Sequence, residues 1–481
     1  MLIPVLLAVV VFPTAMYDTR ELIAWGRQFP LTTPYHPPLM VWIGGIVDKV
    51  AGTSAVAAIA AGQLLMAVGI YYFWRVLRIV SSPTSATFFT FLFATSAYIV
   101  FGPLSFALNA DFLQLLSWPA ILFHFFSAQR TNKLSQFMAF GFWSAIAFLT
   151  KYNALVLLAG LGVSMMSIPA YRRLLSEWRF YAGVAIGLAL IAPHVVAAFN
   201  HIGPIEYGAA TFDPHAAISA RLDYLASWII GAFVGVFPGI IAVLFGWRTG
   251  VLQFEGGKDK ANRDARLALL VTTIAINVVV VGLIVAAGLA YRPRYSPPYA
   301  MVAVLAVAPW VSWRDDAATW IEGAVARSIG AFNLAIALVL VVVYTFFASH
   351  SGMQEPTRSA AAAILADWHS RYSCGPGYFF GVRQNVYGVG IEAGRDVTTL
   401  SGSDLAGASW FDPDRWYREG AVIIDTPEDA RNWQSAYQPG PAATPEASVA
   451  LPLRRTRLNK QFVYSYHFIA PHDCAARREA D

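Results

Sequence analysis

The sequence predicts a polytopic α-helical membrane protein that ends in a small water-soluble domain. Three observations carry the prediction. Of 481 residues, 57% are hydrophobic and only 13% are Asp, Glu, Lys or Arg, against roughly 25% charged residues in an ordinary soluble domain. Apolar stretches of spanning length recur along the first 348 residues. The charge then rises abruptly: residues 1–348 hold 21 basic and 14 acidic side chains, and the last 133 residues hold 13 and 15. A soluble enzyme of this length would lack the polar surface to cover its core. Disorder, a collagen repeat and a disulfide scaffold fail on composition, since 36 Gly and 27 Pro show no period and there are 2 Cys.

Eleven stretches read as spans: Leu2–Met16, Ala55–Val80, Thr84–Phe101, Phe112–Phe126, Leu134–Thr150, Ala154–Ile168, Phe180–Phe199, Tyr224–Trp247, Leu267–Ala290, Tyr299–Trp313 and Ile329–Ala348. The first lacks the positive n-region and small-residue cleavage site of a signal peptide, so it counts as a span. Residues 1–348 thus form a membrane domain, with residues 17–54 as its first outer loop, and residues 349–481 a separate tail domain.

Lys and Arg in alternate loops set the orientation. One set contains Arg75, Arg78, Arg130, Lys133, Arg172, Arg173, Arg179, Arg248, Lys258, Lys260, Arg263, Arg266, Arg314 and Arg327; the other contains Arg20, Arg27, Lys49, Lys151, Arg221, Arg292 and Arg294. Fourteen against seven places the first set in the cytoplasm and, with an odd number of spans, the tail outside. The positive charge is scattered through short loops with no DNA-type patch, so nucleic acid is not an expected partner; membrane lipids are.

In the tail, Gly420–Asp425 and Gln461–Phe468 are aromatic and β-branched runs between turn residues, which predicts a small α/β or mostly β domain. Cys374 and Cys474 lie near its ends and on the oxidising side. A disulfide between them would close a loop of about 100 residues. Two unpaired buried thiols are the alternative reading.

The outer loops hold the candidate chemistry. Asp18 follows directly on a span, and Glu21 to Gly26 read as a short amphipathic helix in the interface. Tyr35-His36-Pro37-Pro38 then sets a rigid turn before Leu39–Val47, an apolar stretch too short to span. Asp111 opens the fourth span on the same face. Lys151, beside Tyr152, sits at the outer junction of spans five and six, where an ammonium at membrane depth calls for a nearby anion. Arg292 and Arg294, with Tyr295, occupy a tight loop between spans nine and ten, and arginine forks suit phosphate oxygens. Two carboxylates and three cations on one face are what a reaction on a lipid-linked phosphate needs: a base for an acceptor hydroxyl and cations for the departing phosphate. Each residue has a plain structural reading as well. Asp18 is then the solvated end of a span, Asp111 a helix cap, Lys151 and Arg294 snorkelling cations, and His36 a hydrogen-bonded turn residue.

The run from Asp18 through Trp25-Gly26-Arg27 to Tyr35-His36-Pro37-Pro38-Leu39 resembles the first outer loop of the GT-C glycosyltransferases, in particular the bacterial relatives of protein O-mannosyltransferases and of the lipid A aminoarabinose transferase. Asp111, Lys151-Tyr152, Pro193-His194 leading to Asn200, and Arg294-Tyr295 follow in the matching order. Cys374, Val386-Tyr387-Gly388, Trp410 and Gly420 onward resemble the periplasmic domain of rhizobial-type galacturonosyltransferases. One departure stands out: the family's Asp-Glu pair is Asp18-Thr19 here, leaving Glu21 as the next acid.

The resemblance implies a GT-C fold of about eleven transmembrane helices with a C-terminal periplasmic α/β domain in a bacterial inner membrane. It implies an inverting transfer of one sugar from an undecaprenyl- or dodecaprenyl-type phosphate to a lipid or glycolipid acceptor such as lipid A or lipopolysaccharide core. Asp18 is then the general base, and Asp111 orients the acceptor or sugar. Lys151, Arg292 and Arg294 hold the phosphate, while Glu21, Tyr35, His36, Tyr152 and Tyr295 line the site. No metal or other cofactor is obligatory on this reading, since Lys and Arg neutralise a phosphate unaided, and a divalent cation remains optional. Two rivals stay open: the same chemistry on protein Ser or Thr, and a transporter or flippase for a lipid-linked sugar. A sensor or anchor driven by the tail is disfavoured by the number of spans.

Overall fold

A computed structural model of the chain describes residues 14–94, 108–201, 203–248, 252–254, 260–313, 355–424, 447–452 and 461–474, with single positions near 5–9 and 331–342. The expected first and eleventh spans and the boundary at 348 lie mostly outside the described residues, as does the end of the third. Two short helices come first, α1 (Tyr17–Gly26) and α2 (Leu39–Ala51). The bundle follows with α3 (Ala55–Val80), α4 (Pro83–Ala94), α5 (Ala110–Thr131), α6 (Leu134–Thr150), α7 (Ala154–Ser167) and α8 (Trp178–Asn200). It continues through α9 (Gly203–Ala210), α10 (Ile218–Arg248), α11 (Lys260–Ala287) and α12 (Pro297–Val307).

Among the described residues three helices are long and apolar enough to cross a membrane, or four if α7 and the turn Pro169–Ser176, bent by 104°, make one broken span. Of the other expected spans, Tyr224–Trp247 lies within the 31-residue α10, and the rest fall on shorter or more polar helices. Of these, α5 keeps spanning length at 22 residues but carries Asp111, Gln114 and His124. The tenth stretch, Tyr299–Trp313, is not one helix. Its helix ends at Val307, where a turn containing Pro309 supplies no N–H for the next helical bond, and Val311–Trp313 (β2) pairs antiparallel with Leu252–Phe254 (β1).

The bundle has two distinct ends. Residues Gly69 and Leu115 lie in backbone contact and Arg75 lies over Phe123, so α3 and α5 run parallel and finish together. Arg266 donates to the Val80 carbonyl (2.8 Å) and Ser85 to the Val311 carbonyl (2.7 Å) at that finishing end. The opposite end gathers the starts of α1 and α5, the α6–α7 junction and the loop before α12. A continuous core built on Phe73, Trp118, Phe125, Phe126, Leu157 and Leu305 joins the two.

The tail adds α13 (Thr357–Arg371), α14 (Arg383–Ala393), α15 (Pro413–Glu419) and a five-stranded mixed sheet ordered β4-β3-β5-β7-β6. Its strands are Tyr378–Gly381 (β3), Thr398–Ser401 (β4), Ala421–Ile424 (β5), Ala447–Pro452 (β6) and Gln461–Ile469 (β7). Strands β3, β4 and β5 are parallel and wholly buried. Period two divides them between two cores: Tyr378, Phe380 and Ile423 pack with Trp416, whereas Phe379, Val422 and Ile424 pack with the α13–α14 side and α1. The fold is thus α/β, and Cys374 and Cys474 are joined by a disulfide, with Cα atoms 6.1 Å apart.

Candidate active site

The first loop is built tightly. Helices α1 and α2 cross with almost no gap, since a Cβ on Gly26 would lie 2.3 Å from the Gly45 nitrogen and 2.4 Å from the Val41 carbonyl. The tail grips the same helix. Trp25 donates to the Tyr387 hydroxyl (2.8 Å), and Arg20, fully buried, donates to Glu355 (2.7 Å). Gly388 leaves room for the Arg20 guanidinium, which a Cβ there would meet at 2.3 Å. Arg27 binds Asp48 through two donors (3.1 Å each) and reaches the carbonyls of Ile391 and Gly394.

Asp18 stands in the first turn of α1, where the unsatisfied N–H groups and helix dipole favour a carboxylate. The next residue explains its position. Thr19 is fully buried; its hydroxyl donates to the Leu108 carbonyl and accepts from the Leu108 N–H (3.3 Å each). That pair ties α1 to the start of α5. Asn109 then caps α5 by accepting from the Asp111 N–H at 2.8 Å.

Lys151 ends α6, its own N–H closing the last turn on Ala147. Its ammonium donates to Asp111 Oδ1 at 2.5 Å and lies 4.2 Å from the Tyr295 ring centre. Arg294 covers the same ring at 5.3 Å and donates to the Tyr295 hydroxyl at 3.5 Å. Both Asp18 and Asp111 act electrostatically on Arg294. Desolvation among these loops pulls the Arg294 guanidinium down, but the Tyr295 hydrogen bond and the charges of Tyr295, Asp18 and Asp111 outweigh it, and the net shift is upward. The structure therefore brings Asp18, Asp111, Lys151, Arg294 and Tyr295 to one end of the bundle. Arg292 is exposed beside them, and among the described residues it makes no ion pair.

A second cluster flanks the first. The Tyr152 hydroxyl meets His194 Nε2 at 2.9 Å, and His194 Nδ1 meets the Leu31 carbonyl at 2.8 Å, joining α8 and the α6–α7 junction to the first loop. Burial pushes the Tyr152 phenol up to about 12, so it stays neutral at ordinary pH. Tyr35 packs at 4.9 Å from Tyr207 and 5.8 Å from Trp25, and His36 sits edge-on to Tyr207 at 6.0 Å. Thr33 fixes the His36 backbone through both its N–H and its carbonyl. Glu21 is buried within electrostatic reach of Tyr387, on the tail side of α1.

Sequence reasoning did not single out Gln114, Asn153, Tyr207 or Tyr299. Gln114 donates to the Lys151 carbonyl (3.4 Å) and to Asn153, and Asn153 reaches Tyr299. An amide on an apolar helix, one turn from Asp111, was the available signal for Gln114. Tyr207 had none, because its helix lies in a loop of unremarkable composition. Among the described residues no group of three His, Cys, Asp or Glu side chains is placed to hold a metal ion.

Residues 35–196 match the family described as dolichyl-phosphate-mannose-protein mannosyltransferase. The fold is similar to the crystal structure of ArnT from Cupriavidus metallidurans bound to undecaprenyl phosphate, with 13% identity, 96% of each chain covered and a TM-score of 0.59. It is likewise similar to the apo state of that protein, with 14% identity, 96% coverage of each chain and a TM-score of 0.57. No curated protein sequence matches the chain. At such identity the structural likeness establishes the fold, and the family match covers His36, Asp111, Lys151 and His194 within it. The chain thus shares the fold of that structure along nearly its whole length, and about a third of it, residues 35–196, is similar to that mannosyltransferase family.

Proposed function

We propose that the chain moves a single sugar from a polyprenyl phosphate to a hydroxyl of an envelope glycolipid, such as lipid A or lipopolysaccharide core, on the periplasmic face of a bacterial inner membrane. The observation that carries this reading is the meeting of Asp111, Lys151 and Arg294 around Tyr295 at one end of the bundle, with Asp18 in electrostatic reach of Arg294. In the transfer, the acceptor oxygen bonds to the anomeric carbon from the face opposite the phosphate. The bond from that carbon to the phosphate oxygen breaks, and the hydroxyl proton passes to the Asp18 carboxylate. Polyprenyl phosphate leaves with the bond's electron pair. Lys151 has three donors and spends one on Asp111, so it retains others for the phosphate, and Arg294 supplies a second cation. The solved ArnT relative is bound to undecaprenyl phosphate, which supports a carrier of that class. Residues 349–481 act as a periplasmic domain that braces α1.

The family description favours a second reading, transfer to Ser or Thr of a protein. Mass spectrometry of envelope lipids from strains with and without the gene tests the first. The expected result is loss of one sugar mass from a glycolipid, with polyprenyl phosphate released by the purified protein in detergent. Unchanged glycolipids with loss of O-glycosylated protein would establish the second reading instead. Activity only across sealed bilayers would point to transport.

A further inference from the structure

The opposite end of the bundle holds a cleft of about 620 Å³ between the last turns of α3 and α5. Arg75, Arg78 and Arg130 line it, with Trp74, Phe123 and Ser127. Asp111 and Arg130 lie 19 residues apart on α5, so at ~1.5 Å per residue the cleft is roughly 28 Å from the proposed site. We propose that this cleft binds the phosphate headgroup of an anionic phospholipid.

The three guanidiniums have no carboxylate partner within ion-pair distance among the described residues. Asp264, which acts with Arg130 on the Tyr171 phenol, forms no ion pair among the described residues. Arg75 is held in place without being neutralised: it lies 4.4 Å from the Phe123 ring centre and 5.6 Å from that of Tyr71, and it donates to the Tyr71 hydroxyl at 2.6 Å. Arg78 lies 5.6 Å over Trp74. A guanidinium has five donors, so most of these face the cleft or solvent unused. Cations near a helix C-terminus do complement the dipole, which accounts for Arg78 and Arg130 one at a time. It does not account for three of them converging on one cleft, two of them over aromatic platforms.

The choice of a lipid over a free phosphate rests on helix periodicity. Leu64, Val68 and Tyr71 are exposed at 67%, 36% and 48%, and with Arg75 and Arg78 they follow steps of four, three, four and three along one face of α3. An apolar stripe that runs into a paired cation is the shape of an acyl chain below a phosphate. Basic pockets between membrane helices take anionic headgroups on the same physics.

The test titrates phosphatidylglycerol into the full chain in neutral detergent and follows the thermal midpoint, with phosphatidylcholine and inorganic phosphate as parallel arms. Phosphatidylglycerol should raise the midpoint saturably and the other two should not. In R75Q/R78Q/R130Q its apparent affinity should fall at least tenfold, while R172Q/R173Q, at the same end, should keep it. The charge-preserving R75K/R78K/R130K should bind at an intermediate level, which separates loss of the site from loss of the fold. An equal response to phosphatidylcholine, or unchanged affinity in the glutamine variant, would overturn the proposal. An equal response to inorganic phosphate at matched concentration would overturn the lipid assignment.

Discussion

Cations gather at both ends of the bundle but are held differently. At the Asp18 end, Lys151 is bonded to Asp111, Arg294 lies under the influence of both carboxylates, and Tyr295 separates the two cations. At the Arg75 end, Arg75 and Arg78 rest on aromatic rings and Arg130 lines the same cleft, with no carboxylate in bonding distance among the described residues. A mixed cluster has internal alternatives for every charge. A departing phosphate can then be met by a lysine already in place, and a proton by a carboxylate already positioned, with little reorganisation. A purely cationic cleft has no such alternatives and is completed only by an external anion.

Replacing Asp18 should break the comparison at its strongest point. The D18N variant keeps the size and the helix position but cannot accept a proton at neutral pH. Since a positioned base contributes about 10²–10⁴-fold, turnover with a polyprenyl-phosphate sugar should fall on that scale, with the folded protein recovered at normal yield. Near-normal kcat would remove Asp18 from the chemistry.

The Asp111–Lys151 pair should give the next largest effect. K151M leaves a largely buried carboxylate without its cation, and D111N leaves an ammonium without its anion; each should lower kcat/KM by about a hundredfold through lost charge stabilisation. Because the two groups are in contact, the double variant should be far less than the product of the singles, with a coupling of roughly 0.5–3 kcal/mol. Strict additivity would show that the contact has no part in the reaction.

Thr19 offers a finer probe, because its hydroxyl bonds the Leu108 backbone and carries no charge. T19V preserves volume but removes both hydrogen bonds to Leu108. It should loosen the spacing between Asp18 and Asp111, lowering kcat by about tenfold, of the order expected when positioning alone is disturbed. The KM for the donor should hardly move. Rescue by T19S, which restores the hydroxyl, distinguishes this from a packing defect. An acid at this position would need a partner in a site that offers a backbone pair, which suits a hydroxyl.

Much of this arrangement was legible in the sequence. Apolar length alone gave Leu134–Thr150 to the residue and Ala154–Ile168 to within one. Alternation of spans then implied that Asp111 and Lys151 share an end, as they do. The tenth stretch was misread because Val311–Trp313 is as apolar as the helix before it, and only pairing with β1 makes it a strand. Hydropathy also cannot see tertiary grips. Glu21 looked available as a second acid, yet the tail buries it near Tyr387, and Arg20 looked like a loop charge, yet it is fully enclosed. Both outcomes depend on a domain more than 300 residues away in sequence, and no local pattern encodes them.

The smallest expected effect sharpens the comparison most. If the two ends are independent, R75Q/R78Q/R130Q should leave kcat and KM in neutral detergent within about twofold of the parent, because among the described residues no shared charge or hydrogen bond links sites about 28 Å apart on α5. The same variant in phosphatidylglycerol bilayers should lose only whatever stability the lipid conferred. A change in kcat in detergent would mean that the helix transmits strain from one end to the other, and the paired and unpaired clusters would then be parts of one device. Measuring the variant in both settings separates these outcomes, since detergent removes the lipid and keeps the helix.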